Sequence, residues 1–321
     1  MRALVVHAHH EPRSFCSALF RETVQTLTDL GHDVVTSNLY ADGFDPVSDR
    51  RNFTSTDDAT YLKQQREERH ATEVNGFAPE LEREIRKLES CDLLIFSFPI
   101  WWFAMPAILK GWVDRAFPMR RIYGDGKLYE NGLGKAHKRA MILMTVGGGP
   151  DAYGGYGVNP SLNSILAPIQ HGVFWFNGFL PLDPFIAWGP ARISPEERAG
   201  YLQQLRERLR GLDQEMTWRL PHLSDFPGFG KDHKKRFMAT LSYHACGDGR
   251  REMLAPADLQ KIEELMRSGV VLSSHFTSPL AEHWRGFIVL RESDAEKALQ
   301  RLKELPITSH CDINLSELAQ I

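Results

Sequence analysis

Three stretches of this 321-residue chain combine residue types suited to holding and working on a ligand. The first, IWWFAMP (100–106), sets Trp101, Trp102 and Phe103 on the connection between an apolar run, DLLIFSFP (92–99), and an amphipathic segment, PAILKGWVDRAF (106–117). A connection crosses the surface, and large rings exposed there cost free energy unless something covers them. A planar aromatic ligand would do so, as would the polar excursion over 41–75 or a dimer interface. In the second, TVGGGPDAYGGYGVNP (145–160), six glycines surround Tyr153 and Tyr156. Glycine lets backbone N–H groups approach a flat ring closely and donate to its carbonyls and nitrogens; the alternative is a flexible loop. The third, HHEPRSF (9–15), ends where a helix begins, and a helix N-terminus offers free N–H groups and a positive dipole end to a phosphate. His9, Arg13 and Ser14 add donors, although an ordinary capped helix would read the same way. The loop has no glycine, so it is neither a GxGxxG nor a Walker A loop. Together, a phosphate cradle, an aromatic platform and a glycine-rich donor loop point to a flavin nucleotide.

These loops can meet only if the surrounding elements bring them to one edge. Strand and helix signals alternate: RALVVHAH, a helix capped by Ser14 and ended by Gly31, HDVVTSNLY, the helix APELEREIRKLESC, DLLIFSFP, the helix PAILKGWVDRAF, KRAMILMTVGGG, a helix over 159–179, a fifth strand over 180–189, and a last helix announced by Ser194, Pro195 and Glu197. The excursion over 41–75 is expected to hold a short helix. That alternation predicts an α/β fold, a doubly wound parallel five-stranded sheet, in which ligands bind beyond the carboxyl ends of the strands. All three stretches follow strands. A composition shift near 213–235 reads as a linker. Beyond it the order βαββαβ predicts a small α+β, ferredoxin-like unit. The boundaries expected are 1–220, a linker at 221–235, and 236–321.

Composition bounds the partners. A net charge of −3 with 25% charged residues gives no reason to expect nucleic acid. No run approaches the length of a membrane span, and MRALVVHAHHEP lacks the features of a signal peptide, so a cytoplasmic protein is expected. Cys16, Cys91, Cys246 and Cys311 are scattered, without metal or disulfide spacing.

The blocks AHHEPRSF, LESCDLLIFSFPIWWFAMPAILKGWVDRAF and TVGGGPDAYGGYGVNPSLNSILAPIQHGVFWFNGF resemble the NAD(P)H:quinone oxidoreductases of the DT-diaphorase type, over about residues 2–220. The resemblance implies a flavodoxin-like fold and a homodimer. It implies FAD, with FMN left open, as the bound cofactor and NADPH or NADH as the donor. A quinone or similar aromatic acceptor would then be reduced by two electrons in a ping-pong cycle. It makes His9, Ser14, Phe15 and Cys16 phosphate contacts, and Arg198 a contact to the adenylate end. Pro99, Ile100, Trp102, Phe103, Thr145, Gly147 and Gly148 would hold the isoalloxazine. Trp101, Trp102, Phe103 and Tyr156 would line the substrate pocket. Tyr153 matches the family's catalytic tyrosine, but Asn159 stands where the family has a histidine, and asparagine cannot take up a proton. The tail, through MRSGVVLSSHFTSPLAEHWRGFIVLRESDAEKALQRLKEL, resembles muconolactone isomerase-like and YCII-like domains. His244, His275, His283 and His310 are candidates there for a second site. Two other readings stay open: a flavin-holding regulatory subunit of a transport system, and a pathway enzyme whose tail acts as an isomerase.

Overall fold

The computed structural model describes residues 1–135, 137–154, 157–218, 220–226, 235–243, 256–276 and 285–318. The chain divides into two compact units, Met1–Trp218 and Arg219–Ile321.

In the first unit, β1 (Arg2–His7), β2 (Asp33–Asn38), β3 (Leu93–Pro99) and β4 (Arg139–Val146) run parallel in the order β2-β1-β3-β4. Near-continuous apolar runs suit strands covered on both faces. Leu4, Val6, Leu94, Phe96, Ile142 and Met144 pack on one face, while Ala3, Val5, Leu93, Ile95, Met141 and Leu143 pack on the other. The first face meets α3 (Pro79–Ser90) and α4 (Ala107–Ala116), and the second meets α1 (Phe15–Asp29) and α6 (Pro195–Arg210). Ser194 and Glu197 close a reciprocal capping box at the start of α6, as the sequence predicts.

Two expectations are corrected. The fifth strand is split: β5 (Leu180–Pro181) pairs with the start of β4 and β6 (Phe185–Trp188) with its end. Pro181 and Pro184 have no N–H to give a continuous ladder. The helix expected over 159–179 is only six residues of α5 (Leu162–Ala167), followed by a π-helical segment (Pro168–Phe174) and a 3-10 turn (Trp175–Asn177). Pro168 lacks the donor that an α-helical register needs, and Gly178, at φ +81°, ends the run.

The excursion after β2 does carry a helix, α2 (Gln64–Val74), and is pinned down. The Glu67 carboxylate accepts from the N–H groups of Asp57 and Asp58 at 2.8 and 2.9 Å. The buried Arg115 donates to Asn52 Oδ1 at 2.6 Å and to the Asp45 carbonyl at 2.5 Å.

The second unit holds β7 (Lys235–Tyr243), α7 (Pro256–Arg267), β8 (Val271–Phe276), β9 (Arg285–Glu292), α8 (Ala295–Lys303) and β10 (Cys311–Leu318). Its antiparallel sheet runs β10-β7-β9-β8, the ferredoxin-like arrangement expected. Ala239, Leu241, Ile288 and Leu290 pack against Ile262, Leu265 and Leu302. Within the stretch expected as a linker, Leu223–Asp225 forms a 3-10 turn, and the Phe226 ring closes on Gly269, where an added Cβ would lie 2.5 Å away. His275 is exposed on β8 and His310 ends a 3-10 turn, while His244, His283 and Cys246 lie outside the described residues. Among the described residues there is no cluster of metal-binding side chains, and no helix is long and apolar enough to cross a membrane.

Candidate functional site

With the strands in the order β2-β1-β3-β4, the chain leaves β1 and β3 toward opposite faces, which opens a crevice beyond their carboxyl ends. The three stretches singled out in the sequence, after β1, β3 and β4, lie at this edge.

After β1, Ser14 caps α1, its Oγ accepting from the Ser17 N–H at 3.1 Å. The N–H groups of Phe15 and Cys16 precede the first intrahelical bond and point out of the helix end. The half-buried Phe15 ring leans on Tyr201, 6.3 Å away. Cys16 turns inward instead: its thiol is buried against Ser97 and Thr145, and burial pushes it up to about 12, so only its backbone serves the loop. His9 accepts the Glu11 N–H on Nδ1 at 3.0 Å, which leaves Nε2 to carry the proton. Burial, with His10 beside it, holds His9 below the usual histidine range. The two imidazoles stack at 4.9 Å, and Trp101 leans on both, at 5.8 and 5.6 Å.

After β3, Pro99 is buried in the sheet and Ile100 extends the ladder to the Thr145 carbonyl at 3.0 Å. Trp101 and Ala104 then exchange both backbone hydrogen bonds at 3.0 Å. The two residues between them, Trp102 at φ +52° and Phe103 at φ +58°, are left-handed, the sign pattern of a type I′ turn that normally takes Asn or Gly. Trp102 is 95% exposed and Phe103 48%. Two bulky residues held in this region store strain, and such strain concentrates at ligand clamps.

After β4, an added Cβ at Gly147 would meet nothing within 4 Å, and one at Gly148 would lie 3.5 Å from the Tyr153 ring. Tyr153 faces Phe103 at 6.4 Å and Trp188 at 5.5 Å. The loop is closed by the Asn159 N–H donating to the Ala152 carbonyl at 2.9 Å, which sets Asn159 beside Tyr153. Gly157 permits this closure, since a Cβ there would come within 2.5 Å of the Ala152 backbone. Tyr156 lies outside the described residues. Arg198, in the first turn of α6, is occupied with the loop before that helix, donating to the carbonyls of Pro190 at 3.1 Å and Ile193 at 2.6 Å.

The geometry adds two residues that the sequence reading missed. Trp188 is the last residue of β6, and its place at the end of a strand was its only signal. His7, at the end of β1, has both ring nitrogens hydrogen-bonded, to Ser97 and Ser17 at 3.0 Å each, and its ring stacks on Phe20 at 4.4 Å. Burial, reinforced by His9, pulls it down to about 4, so it is neutral at ordinary pH.

These features fit a flavin nucleotide. Exposed rings on a strained turn offer a platform, open glycines leave room for a flat edge, and the start of α1 offers free N–H groups to a phosphate. Comparison with known proteins agrees. The model of a family described as the flavodoxin-like fold matches residues 1–210. The NAD(P)H dehydrogenase (quinone) 1 of Cavia porcellus is 35% identical over 212 residues, 66% of this chain and 77% of that protein. The ribosyldihydronicotinamide dehydrogenase (quinone) of Homo sapiens is 35% identical over 215 residues, 67% and 93% of the two chains.

The chain belongs to the flavodoxin-like family of NAD(P)H dehydrogenases (quinone). It is an oxidoreductase. Among solved structures, a protein from Klebsiella pneumoniae assigned as a quinone reductase superposes with a TM-score of 0.64 at 31% identity, covering 69% of this chain and 88% of that one. The family match ends at residue 210 and lends no support to a resemblance of the second unit to muconolactone isomerase-like domains; what the structure shows there is the ferredoxin-like strand order.

Proposed function

We propose that the first unit holds FAD and passes a hydride from NADPH or NADH to a quinone or similar aromatic acceptor, donor and acceptor using one pocket in turn. The observation that carries this reading is the aromatic slot itself: Phe103, Tyr153 and Trp188 within ring contact, beside the exposed Trp102 and the open glycines. When bound, the flavin supplies two-electron transfer.

The chain's own residues bind and orient. Trp102 and Phe103 offer ring faces that stack a planar partner, and stacking sets the reacting atoms at contact distance. The open space at Gly147 and Gly148 leaves room for their backbone N–H groups to donate to the edge of such a ring, and the Tyr153 hydroxyl would donate where negative charge gathers. The first helix turn, with Ser14 and His9, takes the phosphate. Pro99, Ile100 and Thr145 hold the turn and the glycine loop in one frame through the Ile100–Thr145 bond. Asn159 holds the loop and donates hydrogen bonds, so an acceptor's second proton comes from water. Trp101, packed on the imidazoles, narrows the mouth of the substrate pocket, for which Tyr156 is a further proposed residue. Arg198 stands in the first turn of α6, the side from which an adenylate end would approach. The expected assembly is a cytoplasmic homodimer without a nucleic-acid or membrane partner.

The test is anaerobic stopped-flow on the purified full-length chain, mixing with NADPH or NADH and then with a benzoquinone. The oxidised flavin band should bleach in the first half-reaction and return in the second. A band that stays oxidised with both nucleotides overturns the enzyme reading in favour of a regulatory flavoprotein.

A further inference from the structure

On the α1 and α6 face of the sheet, alternate residues run apolar until the last row. Ala3 and Val5 lead to His7, Leu93 and Ile95 to Ser97, and Met141 and Leu143 to Thr145. The first turn of α1 sets Cys16 and Ser17 onto this row. All five polar residues are at least nine-tenths buried, with His7 1% and Ser97 0% exposed. A polar layer this deep is tolerated only when its groups are paired, and an aliphatic row would simply have continued the core.

The pairing has a direction. The Ser17 hydroxyl donates its one proton to the Glu11 carbonyl at 2.9 Å and receives the Ser14 hydroxyl at 3.0 Å. His7 Nε2 must therefore donate to Ser17, which leaves Nδ1 to accept from the Ser97 hydroxyl. A continuous chain of hydrogen bonds thus runs from Ser97, two residues before Pro99 and the aromatic turn, through His7 to both ends of the Glu11–Ser14 loop.

We propose that His7 is a positioning residue for the flavin phosphate, locking the Glu11–Ser14 cradle to β3 through Ser17, so that the free N–H groups of α1 meet the phosphate without rearrangement. This rests on the flavin reading above. A cradle fixed in advance binds more tightly because no ordering is left to occur on binding.

The test dilutes the flavin-saturated full-length protein, loaded with FAD or FMN in turn, and reads the recovery of flavin fluorescence as Kd, alongside Tm. His7→Phe keeps a ring against Phe20 but removes both hydrogen bonds, and a Kd about tenfold weaker is expected. His7→Gln, which retains a donor and an acceptor, should recover part of that loss. Ser17→Ala cuts the chain at its centre and should weaken binding as His7→Phe does; it carries the test if His7→Phe does not fold. Thr23→Val is the control: Thr23 is buried in the same helix and donates only to the Leu19 carbonyl, so it should move Tm alone. The proposal is overturned if the His7 and Ser17 variants lose Tm yet hold flavin as the wild type does, or if Thr23→Val weakens Kd equally. A wild-type chain that retains no flavin overturns the flavin reading, and this proposal with it.

Discussion

Replacing Trp102 and Phe103 by Asn and Gly should make the first unit more stable while abolishing its activity. In the structure these two residues are the left-handed centre of a turn closed by two backbone bonds of 3.0 Å. A left-handed conformation costs an L-residue with a full side chain about 1–2 kcal/mol, glycine almost none, and asparagine an intermediate amount. The relief is therefore about 2 kcal/mol. Trp102, at 95% exposure, returns almost no burial energy in the flavin-free chain. The half-buried Phe103, with its contact to Tyr153 at 6.4 Å, accounts for about 1 kcal/mol. The net gain of about 1 kcal/mol corresponds to a Tm rise of about 2–4 °C for a unit of this size. Differential scanning fluorimetry on flavin-stripped protein measures it free of the stabilisation that any bound ligand adds. With flavin restored, NADPH oxidation should fall about a hundredfold or more, because the stacking surface is gone. A Tm that instead drops by more than about 3 °C would refute the reasoning, since the rings would then be structural cover and the turn unstrained.

Two further outcomes are expected. Unfolded His7 takes a proton near its ordinary value of 6.5, whereas the folded chain refuses it until about 4. The unfolded state therefore binds more protons between these values, so His7's contribution is full above 6.5 and about 3 kcal/mol is lost as pH falls toward 4. Urea unfolding at pH 7 and pH 4.5 should show that loss in the wild type and much less of it in His7→Gln, and equal losses in both would sink the assignment. Gly157→Ala places a Cβ within 2.5 Å of the Ala152 backbone and must break the Asn159–Ala152 bond. Steady-state kinetics should show kcat about tenfold lower or worse as Tyr153 shifts, with Tm nearly unchanged, and an unaltered kcat would separate Tyr153 from the chemistry.

Much of this molecule is readable from local sequence because the responsible forces are local. Apolar runs bounded by turn residues mark buried parallel strands, and Ser194-Pro195-Glu197 marks a helix start through neighbouring groups alone. The same logic marks the loops after β1, β3 and β4, since strand order and chain direction dictate that they meet. Where a single residue type changes local hydrogen bonding, pattern reading was too regular: prolines at 181 and 184 split a strand, and Pro168 turned one expected helix into three short pieces. What the sequence determined, then, was the alternation, the two architectures and the three loops that build the site. Tertiary structure alone decided which way each ring and polar group faces. Trp101 turns back onto His9 and His10, Cys16 points into the sheet, Arg198 serves the loop before its helix, and Trp188 arrives beside Tyr153 from a strand 35 residues later. His7 shows the physical reason. In the sequence it is one of three histidines in HAHH, and only the packing of α1 onto β3 gives both its nitrogens partners and strips it of water and charge.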